Sequence, residues 1–274
     1  VSWSTSVKFS GKQGFDIVIK NSNVNGNFVV ATASNTIWRS ATAGDFLPID
    51  TDQICCSTLA VKPEFPTWWC SGIRLDDLAV TRAAVIHSED NATSWDLLSF
   101  IQDTGSNYML ARDSNANTGN VYLRAGIALA YGNGVLMAGG LTDDVASPVM
   151  LRSLDDGATW VNDVVGGFVK ETAYYNFDNS SIWVATGSSG YKSVDSETVS
   201  LSYTFPTDTI KYSTNQGQTW FNAANDFTML GYEVIYANNT WLATGMDGVS
   251  ASSYDLKLKY STDGSNWSNV TMFT

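Results

Sequence analysis

Ser153-Leu-Asp155-Asp-Gly157-Ala-Thr-Trp160 and Ser213-Thr-Asn215-Gln-Gly217-Gln-Thr-Trp220 share one pattern: Ser, any residue, Asp or Asn, a step, Gly, any residue, Thr, Trp. A third copy, Ser261-Thr-Asp263-Gly264-Ser-Asn-Trp267, is one residue shorter. Two decayed copies complete the series, Ser88-Glu-Asp90-Asn91-Ala-Thr-Ser-Trp95 and Ser40-Ala-Thr42-Ala-Gly44-Asp-Phe46. Each follows an alternating stretch that reads as a strand: residues 36–39, 83–87, 149–152, 209–212 and 256–260. The pattern is therefore a strand-to-strand turn. Short polar side chains bond the turn amides, Gly supplies a positive φ, and the aromatic packs back into the sheet layer.

A second recurrence lies beyond each aromatic, where one apolar strand turns tightly into another. Its best copies are Leu129 to Tyr131 with Val135 to Gly140, Tyr174-Tyr175 with Ile182 to Gly187, and Val234 to Tyr236 with Trp241 to Gly245. Weaker copies are Ile17 to Lys20 with Phe28 to Thr32, and Thr58 to Val61 with Trp68 to Gly72. The repeating unit is strand, short turn, strand, variable loop, strand, Ser-Asp turn, aromatic-headed strand. Such units read as an all-β propeller of four-stranded antiparallel blades, a single domain over residues 1–274, with an open solenoid as the rival arrangement.

The aromatics at Trp3, Phe46, Trp95, Trp160, Trp220 and Trp267 give five repeats. Five blades are favoured and six are the alternative, because the long step between Trp95 and Trp160 contains residues 107–126, which read as an inserted hairpin around an Asn-rich turn or as a reduced sixth blade. The loop from Ser188 to Asp208 separates the second and third strands of its own blade.

Composition narrows the function classes. The 274 residues are 44% hydrophobic and 12% aromatic with ten Trp, a packed globule rather than a disordered tail. Lys plus Arg number 15 against 27 Asp plus Glu, a net charge of −12 with no basic run, which argues against a nucleic-acid partner. Apolar runs fall far short of the roughly 20 residues of a spanning helix, so no membrane insertion is expected. The start, Val1-Ser-Trp3, reads as a processed mature chain or an excerpt of a longer one. Cys55, Cys56 and Cys70 allow at most one bridge, Cys70 with either of the adjacent pair, and read first as small core or edge residues.

The Ser-x-Asp-x-Gly-x-Thr-Trp turn resembles the Asp-box, or bacterial neuraminidase repeat, of sialidases, sortilin-like receptors, photosystem assembly factors and many microbial and viral surface proteins. The pairing of Gly-Asn-Gly at 132–134 with Val-x-x-Ala-x-Gly at 135–140 also resembles uncharacterised repeats of large DNA viruses and their hosts. The resemblance implies a propeller whose boxes are structural: Ser153, Asp155, Gly157 and Trp160; Ser213, Asn215, Gly217 and Trp220; Ser261, Asp263, Gly264 and Trp267. It also raises sialidase-like glycoside hydrolysis. A sialidase site resembles an arginine triad opened by a Phe-or-Tyr-Arg-Ile-Pro motif, which this sequence lacks.

Arg39 and Arg152 share one repeat position directly before the Ser of the turn, with His87, Tyr212 and Tyr260 at the same place, a blade-packing role. Arg74, Arg82, Arg112 and Arg124 remain as candidate anion clamps. Asp76, Asp77, Asp113, Asp143, Asp144 and Asp247 lie in or beside loops between second and third strands and so share one end of the propeller. Read first as a solvated acidic rim, they form with Arg74 and Arg112 the candidate binding set; two converging carboxylates would make a hydrolase. No catalytic residue and no cofactor is assigned. The stretch Asp113 to Gly119 lacks the Gly and Glu positions of a calcium loop, and calcium on Asp143 and Asp144 stays a secondary alternative.

Trp68, Trp69, Trp183 and Trp241 are expected in the core between blades rather than on a glycan-binding face. Sequons at Asn91, Asn179, Asn238, Asn266 and Asn269 favour an extracellular, cell-surface or virion setting. Three function classes follow: a non-catalytic recognition or structural propeller that binds a protein or glycan, also as part of a larger assembly; a glycoside hydrolase or lyase; and an intracellular assembly or scaffold factor.

Overall fold

A computed structural model of the chain describes residues 14–22, 26–33, 36–40, 47–50, 54–62, 65–74, 83–96, 99–103, 108–111, 121–122, 128–141, 148–162, 168–177, 180–188, 208–250 and 253–271. Among them there is no helix, only strands and turns. The first antiparallel meander is β1 (Gly14–Ser22), β2 (Gly26–Ala33), β3 (Thr36–Ser40) and β4 (Leu47–Asp50). The second is β5 (Ile54–Val61), β6 (Trp68–Arg74), β7 (Ala83–Ser88) and β8 (Ser99–Asp103), followed by the short β9 (Tyr108–Ala111) and β10 (Val121–Tyr122). The third is β11 (Ala128–Gly132), β12 (Val135–Leu141), β13 (Pro148–Ser153) and β14 (Thr159–Asn162). The fourth is β15 (Phe168–Phe177), β16 (Ser180–Ser188), β17 (Ile210–Ser213) and β18 (Phe221–Asn222). The fifth is β19 (Leu230–Ala237), β20 (Thr240–Ser250), β21 (Ser253–Ser261) and β22 (Ser268–Asn269).

The turn chemistry expected from the sequence is visible in the backbone. Asn133 and Gly134 join β11 to β12 with φ of 49° and 78°, and Asn238 and Asn239 join β19 to β20 with φ of 50° and 61°. Two consecutive left-handed residues match the right-handed strand twist of a tight hairpin, which is why Asn and Gly stand there. The first strands of consecutive meanders lie against one another in chain order, β1 on β5, β5 on β11, β11 on β15 and β15 on β19.

Strand alternation gives each sheet two apolar faces, a leading face toward the preceding meander and a trailing face toward the next. Ala60, Trp69 and Val85 on the trailing face of the second meander pack with Leu129, Leu136, Ala138, Leu151 and Trp160 on the leading face of the third. Ala128, Met137 and Met150 then meet Trp183 and Ala185, and Val184 and Ile210 meet Trp241, Ala243 and Trp267. The cores therefore lie between successive meanders. Trp68, Trp69, Trp183 and Trp241 are all buried there, as the repeat position implies.

The segment at 107–126 departs from the self-paired hairpin that was one of its two readings. Its two described strands do not pair with each other: β9 pairs with β8 and β10 pairs with β8 on the other side. The hairpin partner is the outer strand of the second meander, because β8 offers an edge that an isolated two-stranded ribbon would lack. Through Thr159↔Met109 and Trp160↔Tyr108, β9 also joins β14, so the second and third meanders share one ten-stranded sheet. The cysteines sit in one hairpin, but Cys70 is opposite Leu59, while Cys55 and Cys56 are opposite Ile73 and Gly72. Trp3, the copy Ser40 to Phe46 beyond Ser40, and the loop between Ser188 and Asp208 lie outside the described residues.

Candidate functional site

Two polar regions stand out, at opposite ends of the strands. At one end lie the Ser-Asp turns. Ser153 Oγ donates to Asp155 Oδ1 over 2.8 Å and accepts the Gly157 amide over 2.8 Å. Asp155 then accepts the Thr159 amide at 2.8 Å and its hydroxyl at 2.5 Å. Asn215 does the same for the Thr219 amide at 2.9 Å, and Asp263 accepts the amides of Ser265 and Asn266, each at 2.8 Å. The decayed copy closes as well, with Asp90 bonded to Ser88, Thr93 and Ser94. There Ala92 takes the left-handed position, φ 59°, that Gly157, Gly217 and Gly264 occupy elsewhere.

These bonds set the carboxylate chemistry. Burial pushes the Asp90 carboxyl up, but the hydroxyl and amide of Ser94, the Ser88 hydroxyl and the Thr93 amide outweigh it and hold the group at about 2. Asp155 and Asp263 are held below the ordinary range for the same reason: burial opposes, and the bonds from Thr159 and Ser153, or from Asn266, Ser265 and Ser261, prevail. An aspartate stabilised as the anion this strongly is a poor proton donor.

Each of the four described turns also rests on the trailing face of the meander before it. Arg39 Nε donates to the Asn91 carbonyl over 2.5 Å, so its head is bonded across the seam rather than only hydrated. Trp69 Nε1 donates to the Asp156 carbonyl, and Lys62 Nζ reaches both Asp156 carboxylate oxygens at 2.9 Å. Lys62 also lies over Phe65 and Tyr131, with Tyr131 stacked on Trp69 at 5.5 Å. His87 bonds the Asp96 carboxylate through Nδ1 within its own meander.

At the other end, Asp247 sits within β20, three residues before its end and so beside the loop to β21. One oxygen accepts the Thr228 amide at 2.8 Å and the other lies 3.5 Å from Lys259 Nζ. Lys259 is buried and donates to the carbonyls of Asn225 and Asp226 at 3.0 and 2.8 Å, above the Phe227 ring. Asp226 accepts the Thr209 amide at 2.7 Å, and burial, only partly offset by the Thr209 bonds, raises its carboxyl. Asp208 accepts Asn222 Nδ2 at 2.6 Å and lies 3.5 Å from Lys211 Nζ.

Apart from Asp247, this lysine and aspartate group escaped the sequence reading, although Lys-Tyr-Ser recurs at 211–213 and 259–261 and marks both lysines. Of the remaining candidates, Arg74 closes β6 opposite Ile54. Asp76, Asp77, Arg82, Arg112, Asp113, Arg124, Asp143 and Asp144 lie outside the described residues. Among the described residues no group of three or more His, Cys, Asp or Glu is placed to hold a metal ion, and no helix is long and apolar enough to cross a membrane.

No family model matches the chain, and no curated protein matches it. Solved structures do. A GH74 enzyme of Niastella koreensis superposes with a TM-score of 0.61 at 14% identity, over 94% of this chain and 37% of that one. The GH74 xyloglucanase of Xanthomonas campestris gives 0.56 at 15% identity, over 96% and 40%. A protein of unknown function from Dyadobacter fermentans gives 0.51 at 12%, over 96% and 84%. The chain thus spans about two fifths of the length of the two GH74 proteins. At these identities the likeness is one of fold, and the chain shares the β-propeller type of architecture built from successive antiparallel sheets.

Proposed function

We propose that the chain is a non-catalytic recognition or structural module of the Asp-box type, a five-bladed propeller that binds a protein or glycan through the end carrying the loops between second and third strands. The observation that carries this reading is the state of three described carboxylates at that end. Asp247, Asp226 and Asp208 are each engaged by an amide or side chain of the fourth or fifth meander, and Lys259 and Lys211 neutralise two of them. Acid and base chemistry on a sugar needs one carboxyl held protonated opposite a second that is free to act as base or nucleophile. These groups act as braces for the strand ends instead. An extracellular, cell-surface or virion setting suits the Ser, Thr and Asn content of the sequence.

A second reading, glycoside hydrolysis, is favoured by the fold shared with the GH74 structures and by the raised carboxyl of Asp226. One experiment separates the two: a glycan array that includes xyloglucan, followed by reducing-end release on every hit. Binding without release supports the recognition module. Release that disappears in Asp226→Asn overturns it in favour of the hydrolase.

A further inference from the structure

The four described sequons gather at one end of the strands. Asn238-Asn-Thr240 forms the β19–β20 turn, and the register Ala237↔Thr240 and Trp241↔Ser261 sets it beside the third Ser-Asp turn. Asn91-Ala-Thr93 and Asn266-Trp-Ser268 begin within Ser-Asp turns, and Asn269-Val-Thr271 begins two residues after Trp267, at the end of β22. The fifth, Asn179, lies outside the described residues. The loops between second and third strands carry no sequon, and the longest, Ser188 to Asp208, is rich in Ser and Thr yet contains no Asn. Composition alone would scatter sequons over both ends.

Their carboxamides are not equivalent. Asn266 Nδ2 donates both protons, to Asp263 Oδ2 and to Ser265 Oγ, each over 2.9 Å. Asn91 is half-buried with its carbonyl held by Arg39 across the seam, and the hydroxyl of its sequon, Thr93 Oγ1, donates to the Asp90 carbonyl at 2.8 Å. Asn238 and Asn269 are exposed instead, and among the described residues no partner holds either carboxamide. Thr240 Oγ1 turns back to the Asn238 carbonyl at 3.4 Å, which keeps acceptor and hydroxyl within one turn.

We propose that Asn238 and Asn269 are N-glycosylation acceptors whose glycans cover the Ser-Asp-turn end and leave the loop end free for recognition. The inference rests on the extracellular, cell-surface or virion setting proposed above. The donor is a lipid-linked oligosaccharide diphosphate. Asn Nδ2 bonds the anomeric carbon of the sugar, the bond from that carbon to the diphosphate oxygen breaks and leaves its electron pair on the diphosphate, and the nitrogen gives up one proton. That proton separates the acceptors. Asn266 would lose one of the two N–H groups that brace its turn, whereas Asn238 and Asn269 lose none that is in use.

The test secretes the full chain from eukaryotic culture behind a cleavable leader. Enzymatic release of N-glycans turns each acceptor Asn into Asp, and peptide mass spectrometry should find that mark at 238 and 269 but not at 91 or 266. Thr240→Ala should abolish modification at 238 alone and Thr271→Ala at 269 alone, while Thr240→Ser keeps it. Changing the hydroxyl spares Asn238 itself, whose φ of 50° few side chains accept. An unmodified Asn238 or Asn269 in secreted, folded protein, or equal occupancy at Asn91 and Asn266, would overturn the proposal. Since the leader supplies the setting, neither result counts against that setting. Modification at both sites with no hit on the glycan array would overturn the recognition reading and leave the acceptors in place.

Discussion

The indole nitrogen of Trp69 donates to the carbonyl oxygen of Asp156 over 3.2 Å, linking the buried face of the second meander to the Ser-Asp turn of the third. Trp69 also stacks on Tyr131 at 5.5 Å and 20°, so one side chain supplies packing, ring contact and a directed bond at the seam. Trp69→Phe keeps the packing and removes the bond, with an expected loss of about 1 to 2 kcal/mol. Trp69→Ala opens a cavity between meanders and should lose about 3 to 5 kcal/mol. Urea denaturation followed by far-ultraviolet circular dichroism distinguishes them; equal losses would mean that the bond, not the ring, holds the seam.

Asp155→Asn should lose less than about 1 kcal/mol at neutral pH, because Asn215 already closes the equivalent turn with its amide oxygen. Asp155→Ala leaves the Thr159 amide and hydroxyl without their acceptor and should lose about 1 to 3 kcal/mol. The comparison is read from urea midpoints of the two variants. An Asn variant as unstable as the Ala variant would show that the charge itself, rather than the acceptor, holds the turn.

The turns and the cores between meanders were legible because each rests on a local pattern. Ser, Asp or Asn, and Gly at fixed spacing dictate hydrogen bonds within a few residues, and Trp183 and Trp241 recur at one strand position. Even the Ser88 copy closes, since Asn91 and Ala92 accept the left-handed backbone without Gly. What stayed hidden depends on contacts distant in sequence. Lys62 meets Asp156 across a seam, β9 crosses to β14, and Lys259 reaches back to Asn225 and Asp226. Whether Asp247 lies in the loop or beside it was open in the sequence, because β20 runs beyond the apolar stretch that defines it, into Gly248 and Ser250. Its end is set by pairing with β21.

Acid should weaken the fold through the turns. The folded-state carboxyls of Asp90, Asp155 and Asp263 lie below the ordinary value, so the native state binds fewer protons than the unfolded chain. Their contribution is fully present above the unfolded value of about 4. It is lost as pH falls through the folded values, which for Asp90 means down to about 2. Urea midpoints should therefore drop between pH 4 and pH 2, and Asp155→Asn should flatten part of that drop. An unchanged slope in that variant would mean that Asp155 is not one of the groups that titrate with unfolding.

Gly217 and Gly134 form a matched pair for separating backbone strain from seam packing. Their φ values are nearly equal, 77° and 78°, so an alanine at either meets similar left-handed strain, about 1 to 2 kcal/mol. Their surroundings differ. A methyl on Gly134 would have nothing within 4 Å, whereas one on Gly217 would lie 2.8 Å from Met137 Cε and 3.0 Å from its sulfur. Gly217→Ala should therefore lose about 1 kcal/mol or more beyond Gly134→Ala. Met137 is flexible enough to move, so pairing Gly217→Ala with Met137→Ala should recover that excess, a coupling that Gly134→Ala lacks. Equal losses in the two glycine variants, or no coupling to Met137, would place the Ser-Asp turn clear of the preceding meander and remove the seam as the element that holds successive sheets together.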